Sequence, residues 1–168
     1  DGFFDFTGAD LSYADFDHAS LHYADLTDTT IAYTNFHDAN LTYADLSGKD
    51  ITGTILTSAD LTGANLDGVD LTGKDLTGTI FDGINLTGKD LTGTILKGTG
   101  LHKAGLSKVD LSGNDLTGTK LTKASLTDAN LTGAILNGAD LSQAVLSGAI
   151  LTGADLTDAN LTGAILSG

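Results

Sequence analysis

A large apolar side chain recurs at every fifth position from Phe6 to Leu166 without a break of register. These 33 positions hold 27 Leu, four Phe (Phe6, Phe16, Phe36, Phe81) and two Ile (Ile31, Ile51). Two residues earlier runs a second column, Ala at 18 positions and Thr at seven. The residue directly before the large one is mostly Asp, Asn or Ile, the residue after it Thr or Ser, and the next most often Gly. The unit reads roughly A-(D/N)-L-(T/S)-G.

Neither regular element carries this period. On an α-helix five residues advance a side chain by about 140°, so the Leu stripe would wander round the axis. On a flat strand an odd period sends successive Leu residues to opposite faces. One line of Leu shares one core only if the chain turns by a constant amount within every five residues, which is a solenoid. The Leu and the residue two before it then point inward from a short extended segment. The Thr/Ser and Gly that follow make the corner, Gly because it tolerates unusual backbone angles.

Runs such as Ala59-Asp60-Leu61-Thr62-Gly63-Ala64-Asn65-Leu66 resemble the motif of the pentapeptide-repeat family, and the resemblance covers the whole chain. It implies an all-β fold, a right-handed quadrilateral parallel β-helix with twenty residues and four pentapeptides per coil, about eight coils in all. At about 4.8 Å per coil the rod would be on the order of 40 Å long. The chain departs from several family members in showing no loop insertion, terminal cap or C-terminal dimerisation helix. Open ends of this kind predict end-to-end self-association.

Composition narrows the chemistry. The 168 residues, 40% of them hydrophobic, suit a single domain spanning 1–168. The start at Asp1 and the stop in mid-pattern at Leu166-Ser167-Gly168 suggest excision from something longer. No run of about eighteen apolar residues appears, so no membrane helix is expected, and the compartment stays open between cytoplasm and secretion from a bacterium. The chain contains no Cys, Arg or Glu, and its 22 Asp against eight Lys give a formal net charge of -14. That balance argues against direct contact with nucleic acid or an anionic membrane and suits a basic protein partner. Residues 1–48 form aromatic, acidic first coils with nine Asp and no Lys.

With twenty residues per coil, outward positions sort into stacked columns. Tyr13 and Tyr33 share one side and Tyr23 and Tyr43 the opposite one. With His18, His22 and His37 they make a candidate interaction surface, or else a cover for the start of the helix. His18 and His22 lie on adjacent faces, so histidine-bound metal is not expected. Asp50, Asp70, Asp90 and Asp110 form an acidic ladder beside Thr52, Thr72, Thr92 and Ser112, where the carboxylates are expected to accept backbone hydrogen bonds at the corners rather than hold calcium. The Thr columns repeat on every face, which makes them corner chemistry rather than an ice-binding face. His102, Lys103, Lys120 and Lys123 form a candidate basic patch.

Lys49, Lys74 and Lys89 occupy the inward position two before the large residue. A buried ammonium without a partner is costly. Their stems are therefore expected to pack at the wall while the ammonium groups emerge toward the Asp50 to Asp110 carboxylates.

No catalytic motif or paired-carboxylate constellation is present, and a core filled by large apolar residues leaves no substrate cavity. The chain is read as a non-enzyme without cofactor: a rigid scaffold or protein-binding module, within a larger bacterial protein or effector. The alternative that the resemblance implies is a DNA mimic, an acidic rod that binds gyrase and protects it from quinolones or topoisomerase toxins.

Overall fold

The computed structural model describes residues 4–167. Every pentapeptide has one local device. The N–H of the residue three after the large one bonds back to its carbonyl, as Ala9 N–H does to Phe6 O at 2.8 Å. The third residue of this turn has positive φ throughout, between +54° at Tyr23 and +72° at Gly68. A turn that needs φ > 0 at its third position is of the type II kind. Eighteen of these corners are Gly, and fourteen carry a side chain forced into the left-handed region.

Four corners close a coil, and residues twenty apart stack. Parallel bridges join Asp5 to Asp25, Asp10 to Thr30, Asp15 to Asn35 and Ser20 to Asn40. Between coils the bonds follow one rule: Phe6 N–H donates to Asp25 O, Gly8 N–H to Thr27 O, and Asp25 N–H to Phe4 O, each at 2.9 Å. The strands are thus reduced to single bridged residues between corners. We number the walls by their first large residue: wall 1 through Phe6, wall 2 through Leu11, wall 3 through Phe16 and wall 4 through Leu21. Walls 2 and 4 face opposite ways.

The core is the axis of the rod. All large residues from Leu21 to Leu146 are buried, none more than 4% exposed. The inward Thr residues are buried too, and their hydroxyls donate to backbone carbonyls: Thr34 Oγ1 to Leu11 O (2.8 Å), Thr54 Oγ1 to Ile31 O (3.0 Å) and Thr79 Oγ1 to Leu56 O (2.8 Å). Each buried hydroxyl therefore keeps a partner, and the core bears polar atoms at little cost. Phe16 stacks on Phe36 with centroids 5.6 Å apart.

Lys49, Lys74 and Lys89 depart from the expectation. They are half-buried, but their ammonium groups bond to backbone carbonyls, not to carboxylates: Lys49 Nζ to Thr29 O at 3.1 Å, Lys89 Nζ to Val69 O at 3.2 Å, and Lys74 Nζ to Ile51 O. Among the described residues no lysine reaches an Asp within ion-pair distance. Lys74 sits in the column of Thr34, Thr54 and Thr94, and donates across the same 23 residues as those hydroxyls. A carbonyl is nearer to the inward-starting stem than any corner carboxylate, so the ammonium stops there.

This has a consequence for the wall. By the rule of the other coils, Asp50 N–H should take Thr29 O and Asp90 N–H should take Val69 O. The lysines hold those carbonyls, and the bridges Thr30 to Asp50 and Asp70 to Asp90 are missing. Bridges are missing likewise from Ile55 to Asp75, after Lys74, and from Ile95 to Asp115, after Asn114, whose Nδ2 is buried without a partner. The residue after each of the four long polar residues in the inward column thus lacks its bridge to the preceding coil, as do Asp45, Asp70 and Asn85, which follow Ala44, Val69 and Ile84; only Lys49 and Lys89 hold the ladder carbonyl itself. On wall 4 the ladder runs unbroken from Ser20 to Asn160.

Candidate functional site

The corners place the aromatic residues. Tyr13 and Tyr33 lie in the corner column between walls 2 and 3, their rings stacked at 4.9 Å and 4°. Tyr23 and Tyr43 stack at 4.8 Å and 11° in the column half a coil away, with His22 edge-on to both. All four Tyr side chains are exposed, Tyr13 by 75%. A third cluster lies on wall 3 and its corner with wall 4. There His18 Nδ1 is 2.8 Å from Asp17 Oδ1, its Nε2 is 3.1 Å from Asp38 Oδ2, and its ring meets His37 edge-on at 5.9 Å. His37 Nδ1 pairs with Thr57 Oγ1 at 2.8 Å. The structure therefore divides the seven aromatic candidates among three corners instead of gathering them in one patch.

Both tyrosine stacks end on a glycine. A Cβ at Gly53 would collide with the Tyr33 ring, and one at Gly63 with the Tyr43 ring. The rings lie flat over the next coil because the corner beneath them is bare. The signal was present as Gly at twenty residues beyond each second Tyr, but it has meaning only once the columns are drawn.

Asp50, Asp70, Asp90 and Asp110 stand one above another on wall 2. Each Oδ1 accepts the N–H two residues on, from Thr52, Thr72, Thr92 and Ser112, all at 2.9 Å. Hydrogen bonds from these same Thr and Ser residues hold all four carboxyls below the usual carboxylate range. Asp10 goes furthest, lowered from 3.8 to about 2 by the Thr30 hydroxyl and then by Ser12. Burial lowers Lys74 from its ordinary value, and the charges of Asp50 and Asp70 partly offset this. The ladder is corner chemistry in this geometry, and among the described residues no three His, Asp, Glu or Cys groups could hold a metal ion.

Where the wall 2 ladder is open, the surface is cleft. A cleft of about 360 Å³ lies between Lys49–Gly53 and Gly68–Lys74, and smaller ones of about 290 and 240 Å³ adjoin it, with Lys49 in the lining of all three. All are shallow and open to solvent. His102 and Lys120 project from wall 4, and Lys103 and Lys123 stack in its corner column with wall 1, so the basic candidates share one side, facing away from the acidic ladder. No helix of the described residues is long and apolar enough to cross a membrane.

The family model for pentapeptide repeats matches the chain in eight copies, over residues 5–32, 34–73, 75–107, 110–148 and 136–168. Among solved structures the chain is similar to HetL, a pentapeptide repeat protein involved in heterocyst differentiation regulation from the cyanobacterium Nostoc sp. strain PCC 7120. The identity is 34%, over 96% of this chain and 84% of that one, with a TM-score of 0.58. It is also similar to QnrB1, a plasmid-mediated fluoroquinolone resistance protein, at 18% identity over 96% and 72% of the two chains and a TM-score of 0.46. Rfr23, from the cyanobacterium Cyanothece 51142, is 20% identical over 96% and 90%, with a TM-score of 0.38. Comparison with curated protein sequences returns no match.

Proposed function

The chain belongs to the pentapeptide-repeat family, with its right-handed quadrilateral parallel β-helix, and from that premise we propose that it is a non-catalytic rigid scaffold that binds a protein partner. The observation that supports this most is the sorting of the surface. A core filled end to end by large apolar side chains fixes the spacing of every outward column, so each wall offers a different ruled line of groups. The tyrosine corners Tyr13/Tyr33 and Tyr23/Tyr43, the histidines His18, His22 and His37, and the basic side at His102, Lys103, Lys120 and Lys123 are the candidate contact groups. Rigid exposed aromatic side chains lose little entropy on binding.

The test is chemical cross-linking of the purified rod to native extracts, with cross-linked residues mapped by mass spectrometry. A scaffold yields a reproducible partner linked through a defined wall or corner. Random links over all four walls would defeat the reading.

A second reading, binding to gyrase as a DNA mimic, draws on the acid columns Asp5, Asp25, Asp45 on wall 1 and Asp50 to Asp110 on wall 2. The basic side of the rod counts against it. Unchanged DNA supercoiling by gyrase at micromolar rod, with and without quinolone, eliminates this reading.

A further inference from the structure

Wall 3 carries a feature that neither the family nor the aromatic corners account for. From its third coil on, the outward bridging position alternates: Ile55, Asp75, Ile95, Asp115, Ile135, Asp155. The three isoleucines are exposed by 46%, 45% and 42%. Single exposed apolar residues are ordinary on a protein surface, but three in register on one flat wall are not. The corners beside them are cleared. Gly53, Gly73, Gly93, Gly113, Gly133 and Gly153 line one shoulder, whereas elsewhere fourteen corners of the same φ carry side chains. At Gly73, Gly113 and Gly133 a Cβ would meet nothing within 4 Å, so crowding within the chain does not demand glycine there. The shoulder is left bare beside a strip that is apolar and acidic by turns.

We propose that this strip of wall 3 docks a cationic amphipathic helix of a partner protein, lying along the rod axis. This rests on the scaffold reading and gives it an address and a partner chemistry. Coils repeat at about 4.8 Å, so successive isoleucines, two coils apart, stand about 9.6 Å from each other. Seven residues of an α-helix rise about 10.5 Å, so apolar residues at every seventh position meet Ile55, Ile95 and Ile135 in turn. Lysine or arginine midway between them faces Asp75 and Asp115, and one half a heptad further on faces Asp155. An extended strand, with like-facing side chains at about 6.8 Å, falls out of step after one contact. A second copy of this chain brings its own three carboxylates to the strip. One cation, Lys97, lies beside Ile95 on this wall, and its charge helps to lower Asp115, after the hydrogen bonds from Thr117. The charge between the isoleucines remains negative.

The probe is a synthetic helix of about three heptads with leucine at every seventh position and lysine midway on the same face. It is titrated against the whole chain by fluorescence anisotropy, beside the same peptide with glutamate for lysine. The lysine peptide should bind in the micromolar range and the glutamate peptide should not. Ile95→Thr, which installs the residue found at the equivalent position in Thr30, should weaken binding about tenfold. Asp115→Asn keeps the corner acceptor and should weaken it several-fold, while Asp110→Asn on wall 2 removes the same charge and should change it less than twofold. Equal weakening by the two Asp changes would mean attraction to net charge alone and overturns the proposal. So does a chain that dimerises through this wall, shown by light scattering as a dimer that Ile95→Thr dissociates. The two readings fail separately: if cross-linking captures a partner and Ile95→Thr captures it equally well, wall 3 is overturned and the scaffold stands.

Discussion

Two stretches of this rod are written in the same five-residue unit and are built differently. From Lys120 on, the inward column is Ala124 through Ala164 without exception, and every bridge from Gly100–Lys120 to Val145–Ile165 is formed. Between Asp25 and Asp115 the column holds Lys49, Lys74, Lys89 and Asn114 among Thr, Val, Ile84 and Ala, and seven bridges are missing, four of them directly after those polar residues. Up to Leu146 the large residues are equally buried in both stretches, so the hydrophobic core does not distinguish them there. What differs is the inward column: in the middle Lys49 and Lys89 compete with the ladder for its carbonyls, and in the tail uniform alanine leaves the ladder alone. The core makes the coil, and a lysine beside it can take a carbonyl from the backbone ladder.

The sharpest way to break the contrast is to write the middle into the tail. Ala134 is fully buried, and its neighbour Ile135 N–H bonds to Asn114 O. Ala134→Lys should cost about 3 kcal/mol, as the stem overfills a packed wall and the ammonium displaces that bond. Urea unfolding would measure the loss, and exchange of the Ile135 amide would show where it falls. A cost below about 1 kcal/mol would mean that the tail tolerates lysine as the middle does.

A smaller effect separates two glycines of the middle. Gly53 and Gly73 share one column and one φ, +65° and +66°, yet only Gly53 lies under a ring. Gly73→Ala should cost about 1 kcal/mol for the left-handed backbone alone. Gly53→Ala should cost about 2 kcal/mol and change the near-ultraviolet circular dichroism, because Tyr33 must move. Smaller still is the reverse repair, Lys49→Ala. It frees Thr29 O for Asp50 N–H and should slow exchange of that amide about tenfold, with global stability changed by less than about 1 kcal/mol.

These contrasts mark how far the sequence could be read. The corner and the inward pair follow from period and residue size, because a single repeated constraint fixes them at every pentapeptide, whereas the twenty-residue stacking was legible only through the resemblance to the pentapeptide-repeat family. The Asp corners were equally legible, since an Asp followed two residues on by a backbone N–H is a local arrangement. The lysines were not. Their position in the inward column is plain from the sequence, but whether an ammonium reaches a carboxylate outside or a carbonyl in the wall depends on about an ångström of stem geometry. The columns already set Tyr13 and Tyr33 opposite Tyr23 and Tyr43; what they could not show is that the His22 ring packs edge-on to Tyr23 and Tyr43 while His18 and His37 meet at a third corner, because ring contacts depend on side-chain rotamers.

Acid pH tests what the two stretches share. Asp45, Asp50, Asp70, Asp90, Asp110 and Asp115 in the middle, and Asp140 and Asp155 in the tail, are all held below the ordinary carboxylate value of 3.8 by hydrogen bonds at their own corners. A carboxyl whose folded value is depressed contributes stability above its unfolded value, and that contribution is lost as pH falls through the folded value. With Asp10 at about 2 as the lower bound, the Tm should be level above about pH 5 and fall between about pH 4 and 2. Lys49 and Lys89 have no carboxylate within ion-pair distance. If they act on the wall carbonyls rather than the Asp ladder, the double change Lys49→Ala and Lys89→Ala shifts the whole Tm curve and leaves its acid limb parallel to the parent. A steeper limb that reaches lower pH in the parent alone would mean that the ammonium groups support the carboxylates after all, and that the open seam of wall 2 is held by charge at its lip rather than by lysine at its backbone.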